Sequence, residues 1–211
     1  MSSSRARGDL LRVRVALKGI RFLTLGAVFA ASFTFVSAGA SVKLMVGART
    51  LYARAFEPGQ EQRSFGLSFA AWNEGWPVAI EWGFQKSEGE GTFYRRGYRH
   101  DVEPSVAELD VGILKEWRSA KTWIPYVGGG LAVVSAGGYG QNLNKWMGTW
   151  TTEDGTAPGG YLHGGILFCA GGHFILGLDL RLVGTSQIYE SAYGFSVNYG
   201  YTQAALVLGW R

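Results

Sequence analysis

Apolar and polar residues alternate with a period of two along most of the chain beyond residue 40, the spacing that puts successive side chains on opposite faces of a β-strand. Phe174, Leu176, Leu178, Leu180 and Leu182 interleave with Ile175, Gly177, Asp179, Arg181 and Val183, so one face is oily and the other carries charge. The same contrast runs through Val78, Ile80, Trp82 and Phe84 against Ala79, Glu81, Gly83 and Gln85, and through Ala107, Leu109, Val111 and Ile113 against Glu108, Asp110, Gly112 and Leu114. Segments led by Val42, by Phe65 and by Ala204 follow suit, and two more, Trp123–Val134 and Tyr161–Ala170, are glycine-rich and alternate less cleanly. No helical period interrupts them. The pattern predicts eight strands of about 9 to 14 residues, where about 9 to 11 suffice to cross a bilayer at a tilt.

The links between these strands alternate long and short. Polar links around Glu57-Pro58-Gly59, from Ser87 to Pro104, from Ala136 to Gly159 and from Gly184 to Ser196 are separated by tight ones at Asn73–Pro77, Ser119–Lys121 and Gly171-Gly172. An up-and-down barrel inserted from the periplasm has short turns on the near side and longer loops outside. A soluble sandwich has no reason to sort loop length by parity, and it would put its oily face inside. The fold expected is therefore all-β, an eight-stranded antiparallel up-and-down transmembrane β-barrel with the leucine faces turned to lipid.

Charge and the amino-terminal residues agree with export. The first forty residues carry Arg5, Arg7, Arg12, Arg14, Lys18 and Arg21, then an apolar stretch from Phe22 to Val36, then Ala38-Gly39-Ala40. That is the order of a cleavable signal peptide, with 1–40 removed and 41–211 forming the barrel domain. The formal net charge of +4 then falls away, because 14 basic and 15 acidic residues follow Ala40. Without a clustered basic excess no nucleic acid is expected as a partner. Cys169 is the only cysteine, which excludes an intrachain disulfide.

Aromatic positions mark a boundary. Trp72, Trp76, Trp117, Trp123 and Trp210 all fall at strand ends on the periplasmic side, as an interfacial girdle requires. Three segments then resemble the OmpA/OmpX-like superfamily of small outer-membrane barrels: Trp123-Ile124-Pro125-Tyr126-Val127-Gly128-Gly129-Gly130-Leu131, Leu176-Gly177-Leu178-Asp179-Leu180-Arg181, and Ala205-Leu206-Val207-Leu208-Gly209-Trp210. The last is similar to the terminal strand that the barrel-insertion machinery reads in that family, where an aromatic residue normally comes last; here Arg211 follows Trp210. The resemblance implies residence in the cell outer membrane, with lipid and lipopolysaccharide as neighbours.

With the oily faces outward, the lumen receives Lys43, Arg49, Glu81, Glu108, Asp110, Glu116, Asp179 and Arg181, with His163 at the margin of the set. An eight-stranded barrel is only wide enough for side chains to fill it, so a paired polar network is expected in place of a wide pore. Outside, the arginine-aromatic stretch holding Arg95, Arg96, Tyr98, Arg99 and His100 suits phosphate or sugar recognition, and Trp146 and Trp150 could contact an extracellular ligand. No histidine stands two residues before a serine on a strand face, as in lipid A deacylases, and no nucleotide, metal or cofactor motif is present. The function expected is structural or surface-interacting, through adhesion or ligand binding at the extracellular loops, and without catalysis. Rival readings are a lipid-modifying enzyme acting on lipid A acyl chains and a narrow channel for small apolar solutes.

Overall fold

A computed structural model describes residues 39–52, 59–95, 98–118, 122–142, 149–171, 173–190 and 195–211. The strands are β1 (Gly39–Leu51), β2 (Glu61–Trp72), β3 (Ala79–Gly89), β4 (Gly91–Arg95), β5 (Tyr98–Glu116), β6 (Trp123–Asn142), β7 (Thr149–Ala170), β8 (Phe174–Thr185), β9 (Gln187–Glu190), β10 (Phe195–Asn198) and β11 (Tyr201–Trp210). All but the β9–β10 hairpin join one antiparallel sheet. β3 and β4 occupy successive stretches of the same neighbour, Glu88 facing Ser105 and Gly91 facing Val102, so together they make one stave of an eight-stave ring. Pairing of β1 with β11 and of β3 with β5 closes it.

Closure fixes the stagger. Stepping from partner to partner, Ser41 leads to Ala70, Glu81, Gly112, Gly130, Tyr161, Val183 and Tyr201, and Tyr201 leads back to Leu51 on the starting strand. One circuit thus climbs from residue 41 to residue 51, toward the end of the barrel that carries the long hairpins. Such a shear over eight staves tilts the strands by roughly 40° and leaves a bore that side chains alone can fill.

Side-chain parity sets what each surface presents. Leu178 and Leu180 are 56% and 65% exposed on the outer wall, whereas Asp179 and Arg181 between them are 1% and 2% exposed inside. Val46, Phe65, Ile113, Leu131, Leu162 and Leu206 continue the outward apolar belt around the ring. Inside, apolar residues collect into two groups. One, including Met45, Trp72, Leu114, Ile124, Leu167 and Ile175, lies toward the short-turn end, and the other, including Leu51, Val106, Val134, Tyr161, Val183 and Tyr201, toward the long-hairpin end. At the short-turn end Gly75 (φ 80°) and Gly171 (φ 60°) supply the left-handed backbone that lets a strand reverse within a few residues.

Three expectations from sequence need revision. The links from Ser87 to Pro104 and from Ala136 to Gly159 are largely strand, since β4 pairs β5 from Gly91 and β6 continues to Asn142 against β7. Glycine and polar residues dominate these stretches, so the sequence shows little apolar–polar alternation there although the backbone pairs. The link from Gly184 to Ser196 likewise carries the β9–β10 hairpin. Trp72 does not belong to the girdle: it points inward and is 8% exposed, while Trp76, Trp117, Trp123 and Trp210 are outward and about half exposed or more.

Close packing of the wall gives a test. A Cβ added at Gly165 would lie 1.9 Å from the Leu178 carbonyl oxygen, a backbone atom that cannot give way without parting β7 from β8, while one added at Gly160 meets nothing nearer than 3.4 Å. Gly165→Ala is expected to lower stability by about 1–3 kcal/mol, and Gly160→Ala by less than about 0.5 kcal/mol, in urea titrations of the micelle-folded protein.

Candidate functional site

The lumen is the place where the alternating strands bring most chemistry together. On the short-turn side, His163 of β7 stands between two carboxylates, with Nδ1 2.8 Å from Asp179 Oδ2 and Nε2 2.8 Å from Glu81 Oε2. The Nδ1 contact has hydrogen-bond geometry, and the Nε2 contact is an approach within ion-pair distance. Tyr126 donates its hydroxyl to Asp179 Oδ2 at 2.6 Å, and Ser68 donates to Glu81 Oε1 at 2.6 Å. Lys43 Nζ lies 3.9 Å from Glu81, 3.8 Å from Glu116 and 4.9 Å from the centre of the Tyr126 ring. Seven different staves contribute to this cluster.

On the long-hairpin side Arg181 reaches across to β5, bonding to Glu108 and, at 2.8 Å, to Asp110 Oδ2. Its guanidinium also lies 4.0 Å over the Tyr161 ring. Tyr201 donates to Glu108 and accepts from Arg49 Nη2 at 2.9 Å, so the hydroxyl links a cation and a carboxylate that do not touch. The remaining Arg49 donors go to Gln203, Gln85 and Ser87 at 2.9–3.2 Å, and Ser87 in turn donates to Gln62 at 2.5 Å.

Both clusters balance. Arg49 and Arg181 answer Glu108 and Asp110, and Lys43 and His163 stand against Glu81 and Asp179. Glu116 is met at the short-turn mouth by Arg118 Nη2 at 3.1 Å and Arg211 Nη1 at 3.7 Å. These two guanidiniums lie 4.3 and 5.6 Å over Trp72, which is why that residue turns inward: it roofs the mouth with a ring under two cations. Burial of so much charge is tolerable only because each group has a counter-charge or hydrogen-bond partner within the ring.

Glycines make room for the large lumenal rings. A Cβ at Gly112 would lie 2.5 Å from the Tyr161 hydroxyl, and one at Gly128 2.3 Å from His163 Nε2. Gly128 is therefore the point of β6 against which the histidine lies. With apolar groups at either end and ion pairs across the middle, the arrangement fills the bore and ties opposite walls together.

Lys43, Arg49, Glu81, Glu108, Asp110, Glu116, Asp179 and Arg181 all sit in this interior, buried to 8% exposure or less. Sequence parity indicates the face but misses the residues that join the two clusters, among them Tyr126, Tyr161, Tyr201 and Gln203; each lies an even number of residues from a lumenal position on its own strand, which is the signal that finds them. For the outer stretch, Arg96 and Trp146 lie outside the described residues, and Arg95, Tyr98, Arg99, His100 and Trp150 are described in backbone alone, on the β4–β5 and β6–β7 hairpins at the same end of the barrel.

No protein-family model and no curated protein matches the sequence. Solved structures do match the fold. Neisserial surface protein A is 9% identical with a TM-score of 0.55, covering 83% of this chain and 99% of its own. A major outer membrane protein from Thermus thermophilus is 10% identical at 0.55, covering 82% and 99%. Ail, the attachment invasion locus protein of Yersinia pestis, solved in complex with the heparin analogue sucrose octasulfate, is 11% identical at 0.50, covering 81% and 97%. The chain is similar to these small outer-membrane barrels in architecture.

The ion-pair geometry leads to a measurable asymmetry. Arg181→Met leaves Glu108 and Asp110 together without their shared cation and is expected to cost about 3–5 kcal/mol. Adding Glu108→Gln and Asp110→Asn to it should restore much of that loss, read as the urea midpoint of the micelle-folded protein by far-ultraviolet circular dichroism.

Proposed function

We propose that this chain, with the fold of the small outer-membrane barrels, is a noncatalytic outer-membrane protein that works through the hairpins at its outer end. The observation that carries the reading is the contrast across one strand, Leu178 and Leu180 exposed on the wall and Asp179 and Arg181 sealed inside. A water-soluble barrel gains nothing from an apolar outer wall, whereas hydrocarbon is the solvent that wall fits. A bore filled by paired side chains supports a structural role over solute passage. The β4–β5 hairpin carries Arg95, Arg99 and His100 beside Tyr94 and Tyr98, a set suited to anionic sugars or phosphates. Ail binds a sulfated sugar analogue, which makes an anionic glycan a reasonable first ligand to try here.

Five measurements check this. Membrane fractionation is expected to place the protein with outer-membrane markers, and unboiled samples should migrate differently from boiled ones on a denaturing gel; identical mobility would overturn the barrel in detergent. Replacing Arg95, Arg96 and Arg99 together by Ala should weaken binding to immobilised heparin or lipopolysaccharide at least tenfold while leaving the unboiled mobility unchanged. Lipid A mass on overexpression is expected to stay constant, and planar bilayers to show no steady conductance.

A further inference from the structure

The outer wall is not uniform. Between β7, β8, β11 and β1 lies a depression of about 610 Å³ whose exposed lining includes Gly164, Ile166, Leu178, Leu180, Ala204 and Val46. It exists because small residues interrupt the belt: Gly164 pairs with Leu180, Leu180 with Ala204, and Ala204 with Ala48, so three of four positions in that row lack bulk. The row continues to Arg63 on β2. Because one circuit in this direction climbs from residue 41 to residue 51 of β1, the row rises from the mid-belt toward the outer end.

Where it arrives, a second cleft of about 900 Å³ opens between β2 and β3, lined by Ala48, Arg63, Phe65, Lys86, Glu88 and Glu61 among others. Ala48 is the step between the two hollows. Arg63 is exposed and makes no ion pair among the described residues, while Lys86 Nζ meets Glu88 at 2.5 Å with both side chains more than half exposed. The charges are ordered along the strands. Arg63 lies nearer the belt than Glu61 on β2 and directly across from Glu88, and Lys86 lies nearer the belt than Glu88 on β3 and Glu90 just past it. An anion arriving from water meets Glu61 and Glu90 first; one arriving from the membrane side meets Lys86 first and then Arg63.

We propose that this tilted trough and cleft form a binding site for one lipid of the outer leaflet, an acyl chain lying along Gly164, Ala204 and Ala48 and a phosphomonoester headgroup held by Arg63 and Lys86. The proposal rests on the outer-membrane reading and adds the lipid class and the residues that select it. The cations suit a phosphomonoester, since a guanidinium fork gives two parallel bonds and an ammonium adds a point charge against a group bearing nearly two negative charges. The trough limits the contact to a chain that follows the wall, because its small residues let methylene groups approach the backbone.

The test uses the full protein folded in micelles and native mass spectrometry with three added lipids: lipid A bearing its phosphates, the same lipid dephosphorylated, and phosphatidylglycerol. Phosphorylated lipid A is expected to be retained, with the dephosphorylated form and phosphatidylglycerol retained at least fivefold less. Arg63→Glu and Lys86→Glu should each cut retention at least fivefold, as should Ala204→Trp, which fills the trough. Lys115→Glu at the short-turn end should leave it unchanged, and tenfold excess inorganic phosphate should not displace the lipid. Equal retention of the dephosphorylated lipid, indifference to Arg63→Glu, or displacement by free phosphate would each overturn the site. A wild-type protein whose gel mobility shows no folded form would instead sink the outer-membrane reading beneath it.

Discussion

In hydrocarbon no water can bond to a free peptide group, and each one left open costs several kcal/mol. The ring that runs from Ser41 through seven partner strands to Leu51 meets that demand by leaving no edge. Its tilt, its bore and its two surfaces follow from closure. An outer wall of leucines is what a closed ladder can present to lipid, and an interior of ion pairs is what the inward half of each strand is then free to carry.

Polar groups inside are therefore not a concession. In a water-soluble protein the same buried charges would compete with an apolar core of similar volume, which is often as stable. Here the outward positions have no water to shed, and folding gains from joining walls to one another as well as from apolar burial. Tyr201 shows how the joining works, taking a bond from Arg49 on β1 and giving one to Glu108 on β5. Tyr126 does the same office between β6 and β8.

Much of this fold is written in the chain as parity. Leu176, Leu178 and Leu180 against Gly177, Asp179 and Arg181 give the two faces of β8 without any structure, and the ordering of short and long links gives the direction of the barrel. Pairing across the bore is another matter. Nothing local says that Arg181 meets Glu108 and Asp110, or that His163 falls between Glu81 and Asp179, because those meetings depend on the stagger summed over all staves. Gly112 of β5 and Gly128 of β6 illustrate the same limit, reading as weak strand positions in isolation and becoming necessary once Tyr161 and His163 have to lie against them. The hairpins above the belt escape detection for another reason, since glycine and polar residues there give no apolar–polar contrast to reveal a strand.

The wide separation of charge partners has a bearing on assembly. Arg181 finds Glu108 and Asp110 at 73 and 71 residues' distance along the chain, and Lys43 finds Glu116 on a stave made long after its own. A half-built sheet would hold these groups opposite nothing, in contact with lipid, at a cost no single hairpin recovers. Insertion must then be strongly cooperative, with the staves kept in a wet or proteinaceous shelter until β1 and β11 meet and the whole set of charges is quenched at once.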